Sequence, residues 1–99
     1  MIYLKEEQEF NELIKEGLTL VDFYADWCGP CQMLSPVLEE LSKRNKDLKI
    51  IKINVDEFNK LAIENKVLSI PAIKIYKDGK LVKEAVGYLE IDELETLLK

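Results

Sequence analysis

Both cysteines of this chain lie in one short segment, Trp27-Cys28-Gly29-Pro30-Cys31, where two residues separate them. Residues 18–25, just before it, are apolar almost throughout, and such a run predicts a buried β-strand. The residues after it predict an amphipathic helix, because five side chains recur at helical spacing: Met33, Leu34, Val37, Leu38 and Leu41. A Cys-x-x-Cys turn between a strand and a helix indicates a redox-active pair when the surrounding fold is built from β-α-β units.

The composition predicts one compact domain over residues 1–99. Hydrophobic residues make up 47% of the chain, enough for a core that does not depend on disulfides. The net charge is −5 and no basic stripe is present, which argues against nucleic acid as a partner.

The sequence also predicts where the protein acts. Residues 1–7 are too acidic and too poor in apolar residues for a signal peptide. No apolar run approaches the roughly 20 residues that cross a bilayer. We therefore expect a cytoplasmic protein with no membrane partner, and nothing indicates more than a monomer. In a reducing compartment, a close cysteine pair is more often catalytic or metal-binding than structural.

The hydrophobic pattern predicts the element order β-α-β-α-β-α-β-β-α. Residues 2–4 suit a short edge strand and residues 49–55 a second interior strand, while residues 72–77 and 81–86 suit a hairpin closed by Asp78-Gly79. Three further helices are indicated by Phe10, Leu13 and Ile14; by Phe58, Leu61 and Ala62 after a cap at Asp56; and by Ile91, Leu94, Leu97 and Leu98. Strand–helix–strand units with short links pair their strands in parallel. The class is therefore α/β, with a mixed sheet covered by helices on both faces.

The two cysteines differ in their predicted surroundings. Disulfide exchange needs a thiolate that attacks and a second thiol that resolves the mixed disulfide. Cys28 lies where the second helix begins, so unpaired N–H groups and the positive end of the helix dipole favour its thiolate. Cys31, one turn into the helix, should be more buried. This difference predicts Cys28 as the nucleophile and Cys31 as the resolving thiol.

Two other roles for the cysteine pair are less consistent with the sequence. A zinc or iron–sulfur site needs two more ligands, and the chain has no histidine and no third cysteine. Such a site would have to use carboxylates or a second chain, so no metal and no cofactor are expected. A purely structural disulfide over so small a loop would remove little chain entropy.

Asp22 interrupts the apolar strand with a carboxylate. Burial should raise its pKa and make it a candidate proton carrier, which could take the proton of Cys31 because the carboxylate is expected to lie beneath the cysteine turn. The alternative is a structural aspartate that is hydrogen-bonded to backbone or paired with Lys52 of the next strand. Position alone leaves both roles open.

Trp27, beside the first cysteine, also has two interpretations. It is either an exposed aromatic ring for partner docking or a cover for the core. On pattern alone, the core role is the more common one.

The segment from Val21 to Cys31, Val-Asp-Phe-Tyr-Ala-Asp-Trp-Cys-Gly-Pro-Cys, resembles the active-site signature of the thioredoxin family at nearly every position. Further family landmarks occur at matching spacings: Val55-Asp56, Ser69-Ile70-Pro71, Lys77-Asp78-Gly79 and Val86-Gly87. The resemblance covers essentially the whole chain. It implies a thioredoxin fold, in which a central mixed sheet of four to five strands is flanked by four helices.

The resemblance implies a thiol–disulfide oxidoreductase that reduces disulfides of client proteins and is recycled by a thioredoxin reductase. Carried onto this sequence, Cys28 attacks, Cys31 resolves, Asp22 is the buried acid–base group and Lys52 is its neighbour. Pro71 would follow a cis peptide bond opposite the cysteines. The implied substrate-docking surface consists of Trp27, Gly29, Pro30, Val55, Ile70, Pro71, Val86 and Gly87.

Four positions depart from the usual family pattern, and the last three of them bear on partner preference. Tyr24 stands where many members have Trp, Gln32 where Lys or Arg is frequent, and Ala72 where Thr is usual, while Tyr88 adds a ring at the rim. Two alternative functions stay open, an oxidase or isomerase of the same fold and a non-catalytic binding domain. Gly29-Pro30 between the cysteines and the lack of an export signal favour the reductant.

Overall fold

The computed structural model describes residues 1–99 and contains five strands and four helices. The strands are β1 (Ile2–Tyr3), β2 (Leu18–Tyr24), β3 (Lys49–Asn54), β4 (Ala72–Lys77) and β5 (Lys80–Val86). The helices are α1 (Glu9–Ile14), α2 (Gly29–Arg44), α3 (Asn59–Glu64) and α4 (Ile91–Leu97). None of the helices is both long enough and apolar enough to cross a membrane. The element order is the predicted one.

The strands form one mixed sheet in the order β1-β3-β2-β4-β5. The strands β1, β3 and β2 are parallel, whereas β4 runs antiparallel to β2 and β5 antiparallel to β4. The prediction of a parallel β2-α2-β3 unit followed by a hairpin is confirmed. As a result, the carboxyl ends of β2 and β3 and the amino end of β4 share one edge of the sheet, and the cysteine segment follows β2 at that edge.

Helices cover both faces of the sheet, as the pattern predicts. Alternation along β2 sends Val21 and Phe23 toward α1 and α3, and Leu20 toward α2 and α4. Asp22 therefore lies on the α2 face. The residues of α2 that are buried there are Cys31, Leu34, Leu38 and Leu41.

Two details of the predicted helices are wrong. Met33 does not belong to the apolar face of α2; it is exposed, because it lies about 100° around the helix from the buried Leu34. Asp56 does not cap α3, which begins only at Asn59 and has Phe58 at its N-cap position with no side-chain hydrogen bond. The Asp56 carboxylate instead accepts a hydrogen bond from Trp27 Nε1 at 2.8 Å.

The β4–β5 hairpin turns at Asp78-Gly79, and both residues have positive φ, 49° and 86°. This confirms the two-residue turn, since Asp-Gly suits a type I′ conformation. The turn also docks on the loop before β2: Gly17 N donates to Asp78 Oδ1 at 2.8 Å, and Asp78 N donates to Gly17 O at 2.9 Å.

Candidate active site

The two cysteines form a disulfide at the amino end of α2, with their Cα atoms 5.2 Å apart. Cys28 is the N-cap residue: its Sγ accepts a hydrogen bond from Cys31 N at 3.2 Å, and its carbonyl accepts one from Gln32 N at 3.1 Å. Pro30 occupies the first turn of the helix, where a missing N–H disrupts no helical hydrogen bond. The sequence places the first cysteine where helical N–H groups converge, and this environment favours a thiolate when the disulfide is reduced.

Both cysteines are largely buried, with 5% of Cys28 and 2% of Cys31 exposed. Gly29 and Pro30 between them are exposed, so the turn itself reaches solvent. Val55 and Ile70 are half-buried and pack against the cysteine pair. The structure therefore brings together β2, α2, the segment after β3 and the segment before β4 around one disulfide.

Asp22 is completely buried, and neither of its carboxylate oxygens has a hydrogen-bond partner. Burial raises the pKa of this carboxyl from 3.8 to about 6, and the ammonium of Lys52 partly opposes the rise. Asp22 and Lys52 are register partners on β2 and β3, with Lys52 Nζ 3.8 Å from Asp22 Oδ2. Asp22 thus lies beside Lys52, as expected for a structural aspartate, and also has a raised pKa, as expected for a proton carrier. The structure combines the properties of both roles that the sequence left open.

Lys52 has three further contacts that sequence reasoning missed. Its Nζ donates to Ser35 Oγ at 3.1 Å and lies 4.7 Å from the ring centroid of Tyr24 and 5.6 Å from that of Tyr3. These residues surround a cavity of about 250 Å³ that Cys31 also lines. One signal in the sequence was usable: Ser35 follows Cys31 by four residues and so lies on the same face of α2.

Trp27 is 71% exposed, and its indole N–H is bonded to Asp56 at the surface. The core-cover interpretation of Trp27 is therefore wrong, because the ring is held against the segment after β3 and not under the sheet. The other residues of the expected docking surface lie near the disulfide or beside β4. Ile70 precedes Pro71 through a cis peptide bond, Gly87 N donates to Pro71 O at 2.8 Å, and Val86 is exposed opposite Ala72.

Trp27, Val55 and Ile70 line one groove of about 200 Å³ beside the disulfide. Two exposed apolar residues also line this groove, Ile63 of α3 and Leu68, which is 96% exposed. Sequence reasoning missed both, since an isolated apolar residue in a loop or at a helix end carries no periodic signal. An exposed apolar surface next to a redox-active pair is suited to binding another protein.

No cluster of three or more His, Cys, Asp or Glu side chains is placed to hold a metal ion. The donor atoms at this site are two sulfurs bonded to each other. The arrangement can exchange electrons by breaking and forming the bond between these sulfurs.

The chain matches a known family along its whole length. The family model described as Thioredoxin covers residues 1–99. The chain belongs to the thioredoxin family.

Individual thioredoxins are similar to this chain over nearly their full length. Thioredoxin of Bacillus subtilis is 45% identical over 93 residues, which cover 93% of this chain and 89% of that protein. Thioredoxin of Mycoplasmoides gallisepticum is 36% identical over 100 residues, and the alignment covers 100% of both chains. Among solved structures, a mutant thioredoxin of Halobacterium salinarum has a TM-score of 0.92 at 40% identity, covering 98% of this chain and 86% of that one.

A second solved thioredoxin shares the fold equally closely. Oxidised mitochondrial thioredoxin 3 of Saccharomyces cerevisiae has a TM-score of 0.91 at 35% identity, covering 99% of this chain and 92% of that one. The expected thioredoxin fold is thus confirmed, with five strands and four helices. Family membership together with the Cys28–Cys31 disulfide makes this protein a thiol–disulfide oxidoreductase.

Proposed function

We propose that this thioredoxin reduces disulfides of client proteins, with Cys28 as the nucleophile and Cys31 as the resolving thiol. The observation that carries the proposal is the asymmetry of the pair. Cys28 is the N-cap of α2 next to the exposed Trp27, Gly29 and Pro30. Cys31 lies inside the first turn and lines the cavity that holds Lys52.

The reaction follows from this arrangement in two exchanges. The Cys28 thiolate attacks one sulfur of the client disulfide; the S–S bond breaks and the other client sulfur leaves as a thiolate. Cys31 then loses its proton and attacks Cys28 Sγ, which breaks the mixed disulfide and releases the second client sulfur. Two electrons pass to the client, and the protein is left with the Cys28–Cys31 disulfide present in this structure.

Asp22 is the group that accepts the proton of Cys31 in the second exchange. Its support is the buried carboxyl with two unpaired oxygens on the α2 face and a pKa raised to about 6. A base with a pKa near the working pH is suited to proton transfer. Lys52 is the neighbouring cation that keeps the ionised form of Asp22 accessible.

The client docks as an extended segment beside Ile70 and Pro71, where its backbone can pair as an added strand. Trp27, Val55, Val86 and Gly87 line the adjoining surface, and the exposed Gly29 and Pro30 face the client disulfide. Leu68 and Ile63 extend the apolar part of the docking groove.

Thioredoxin reductase returns the oxidised protein to the dithiol form, so that the protein carries electrons from that enzyme to client disulfides. We place this cycle, which maintains the cell's redox balance, in the cytoplasm and in a monomer. The support is family membership and the bacterial relatives that carry the thioredoxin name.

The assignment of the two cysteines is tested with the matched variants Cys31→Ser and Cys28→Ser. Each reduced variant is incubated with oxidised insulin, and covalent adducts are measured by mass spectrometry. Cys31→Ser should accumulate a mixed disulfide between Cys28 and insulin, because the resolving thiol is missing, while Cys28→Ser should accumulate little. Equal adducts in both variants, or adducts mainly in Cys28→Ser, would contradict the assignment.

A further inference from the structure

The Lys52 ammonium lies between two oxygen groups that could each accept a hydrogen bond from it. Ser35 Oγ is 3.1 Å away and Asp22 Oδ2 is 3.8 Å away. The first distance is that of a hydrogen bond and the second exceeds it. The cation therefore hydrogen-bonds the neutral hydroxyl, whereas its contact with the carboxylate is a longer ion pair.

This arrangement is unexpected for a buried pair of opposite charges. An ammonium has three donors, so a bond to Ser35 leaves donors free for Asp22, and hydrogen bonds between an ammonium and a carboxylate are among the strong ones in proteins. Asp22 nevertheless has no hydrogen-bond partner at either oxygen, although Lys52 is its register partner on the neighbouring strand. The ammonium thus stays farther from the carboxylate than a hydrogen bond requires.

We propose that Ser35 is a positioning residue of the active site: its hydroxyl draws the Lys52 ammonium toward α2 and keeps it from closing on the Asp22 carboxyl. The rings of Tyr24 and Tyr3 also attract the ammonium, whose Nζ lies 4.7 Å and 5.6 Å from their centroids, and so they compete with Asp22 for it. The catalytic meaning of this positioning rests on the proposed role of Asp22 as proton carrier.

Few other titratable groups are placed to produce the same effect. Cys31 of α2 and Asp26, after β2, line the same cavity as Lys52, together with Tyr3 of β1 and Tyr24 of β2. From β4, the residue opposite Asp22 is the apolar Ile73. Lys74 of β4 pairs in register with Val21, so it lies on the other face of the sheet, where its Nζ bonds Glu84 at 2.8 Å.

Loss of the Ser35 hydroxyl should let Lys52 move onto Asp22. In Ser35→Ala the nearest acceptor for the ammonium is then the carboxylate, and a direct charge-assisted hydrogen bond stabilises its ionised form. The pKa of Asp22 should fall by about one unit. A weaker base accepts the Cys31 proton more slowly, so the acidic limb of the rate profile should move to lower pH and the plateau rate should fall.

The direct test is the titration of the Asp22 carboxyl carbon, followed by ¹³C NMR in the oxidised protein. Ser35→Ala should lower the titration midpoint by about one unit. Ser35→Thr, which keeps the hydroxyl, should leave the midpoint close to that of the unmodified protein. In the Lys52→Met background the midpoint rises, and adding Ser35→Ala should change it no further, because the effect requires the ammonium.

An unchanged or raised midpoint in Ser35→Ala overturns the proposal, as does an equal downward shift when Lys52 is absent. The midpoint reports the position of Lys52 whether or not Asp22 takes part in catalysis. The rate of insulin reduction by Ser35→Ala across pH tests the catalytic consequence separately. A shifted midpoint with an unmoved rate profile would therefore count against the role of Asp22 and not against the positioning by Ser35.

Discussion

The buried Asp22 carboxyl makes the stability of this protein depend on pH. Burial raises the pKa of the Asp22 carboxyl from 3.8 to about 6, so the folded protein binds this proton more tightly than the unfolded chain does. The resulting stabilisation is present in full below about pH 4 and is lost as the pH rises through about 6. Two pKa units correspond to about 3 kcal/mol, which sets the scale of the loss.

Asp22→Asn should remove that loss. We expect the free energy of unfolding to rise by about 2 kcal/mol near pH 7.5 and to change little near pH 4, because the asparagine carries no charge to bury. Urea unfolding of the oxidised protein at both pH values measures the difference. Disulfide exchange near pH 7 should slow by about tenfold or more, since the proton acceptor is gone.

The control is Asp26→Asn, which neutralises an exposed carboxylate four residues away. It should not reproduce the pH-dependent gain in stability. If Asp22→Asn instead destabilises the protein at every pH and leaves exchange unchanged, Asp22 is a structural partner of Lys52 and carries no proton.

Single residues differ in how much of their role the sequence predicts. A carboxylate within an apolar strand is easy to recognise in a sequence, because burial of a charge is costly and therefore rare. On this ground the sequence predicts that Asp22 is buried. Ser35 was missed because a serine in a helix is chemically ordinary. Its significance depends on the 3.1 Å and 3.8 Å distances from Lys52 to its two oxygen neighbours, which follow from how α2 packs on the sheet.

At the scale of elements, the β4–β5 hairpin is fixed to the rest of the sheet by the side chain in its turn. Asp78 adopts positive φ and accepts a hydrogen bond from Gly17 N across the α1–β2 loop. Asp and Asn tolerate this backbone region better than other residues with a side chain. The tolerance of Asp78 for positive φ and its hydrogen bond from Gly17 N should therefore both stabilise this turn.

Asp78→Ala should lower the free energy of unfolding by about 1–2 kcal/mol, since it loses the acceptor and strains the backbone. Asp78→Asn keeps an oxygen acceptor and tolerates the conformation, so it should cost less than about 0.5 kcal/mol. Urea unfolding of the two variants gives the comparison. Equal losses in both would mean that the carboxylate charge, and not the turn geometry, stabilises the hairpin.

Elements were predictable from the sequence where one local signal decides them. Asp78-Gly79 specifies its own turn, and the strands show in their apolar runs. Asp56 was assigned to the α3 cap because Asp is a good N-cap residue, but its carboxylate bonds the Trp27 indole, 29 residues earlier in the chain. A local sequence pattern does not show that the indole N–H of a distant residue binds the carboxylate in place of the helix N–H groups.

For the whole molecule, the surface feature that bears on the proposed function is the apolar groove beside the disulfide. Leu68 projects from it almost fully exposed, and Trp27 also lines it with an exposed ring. Covering apolar side chains of this kind with a client removes them from water, which is favourable in free energy. The groove should therefore govern client affinity more than the rate of the chemical step.

Leu68→Glu should raise the KM for insulin about threefold to tenfold and leave kcat nearly unchanged, because docking would then desolvate a charge. The matched control is Val82→Glu, which adds the same charge at an exposed position of β5, four residues from Val86 toward the hairpin. Steady-state insulin reduction gives both constants. Equal KM changes in the two variants would show an effect of net charge and not of the groove.

The overall architecture was predictable because the hydrophobic periods and the cysteine motif agree along the whole chain. The shape of the docking groove was not, since it is assembled from segments after β2, after β3 and before β4, with α3 as a wall. These segments come together only because the strand order and directions place the carboxyl ends of β2 and β3 next to the amino end of β4.

The amino-terminal strand β1 is only two residues long, yet its Tyr3 lies opposite Lys52 in register, with its ring centroid 5.6 Å from the ammonium. Any affinity tag joined ahead of residue 1 would thus begin within a few positions of a ring that contacts the Lys52 ammonium. The other end of the chain is tied to the far edge strand, where Lys83 Nζ donates to Lys99 O at 3.1 Å. Because β5 and β1 are the two opposite edge strands, a purification handle for kinetic or NMR work placed after residue 99 stays away from the surroundings of Lys52.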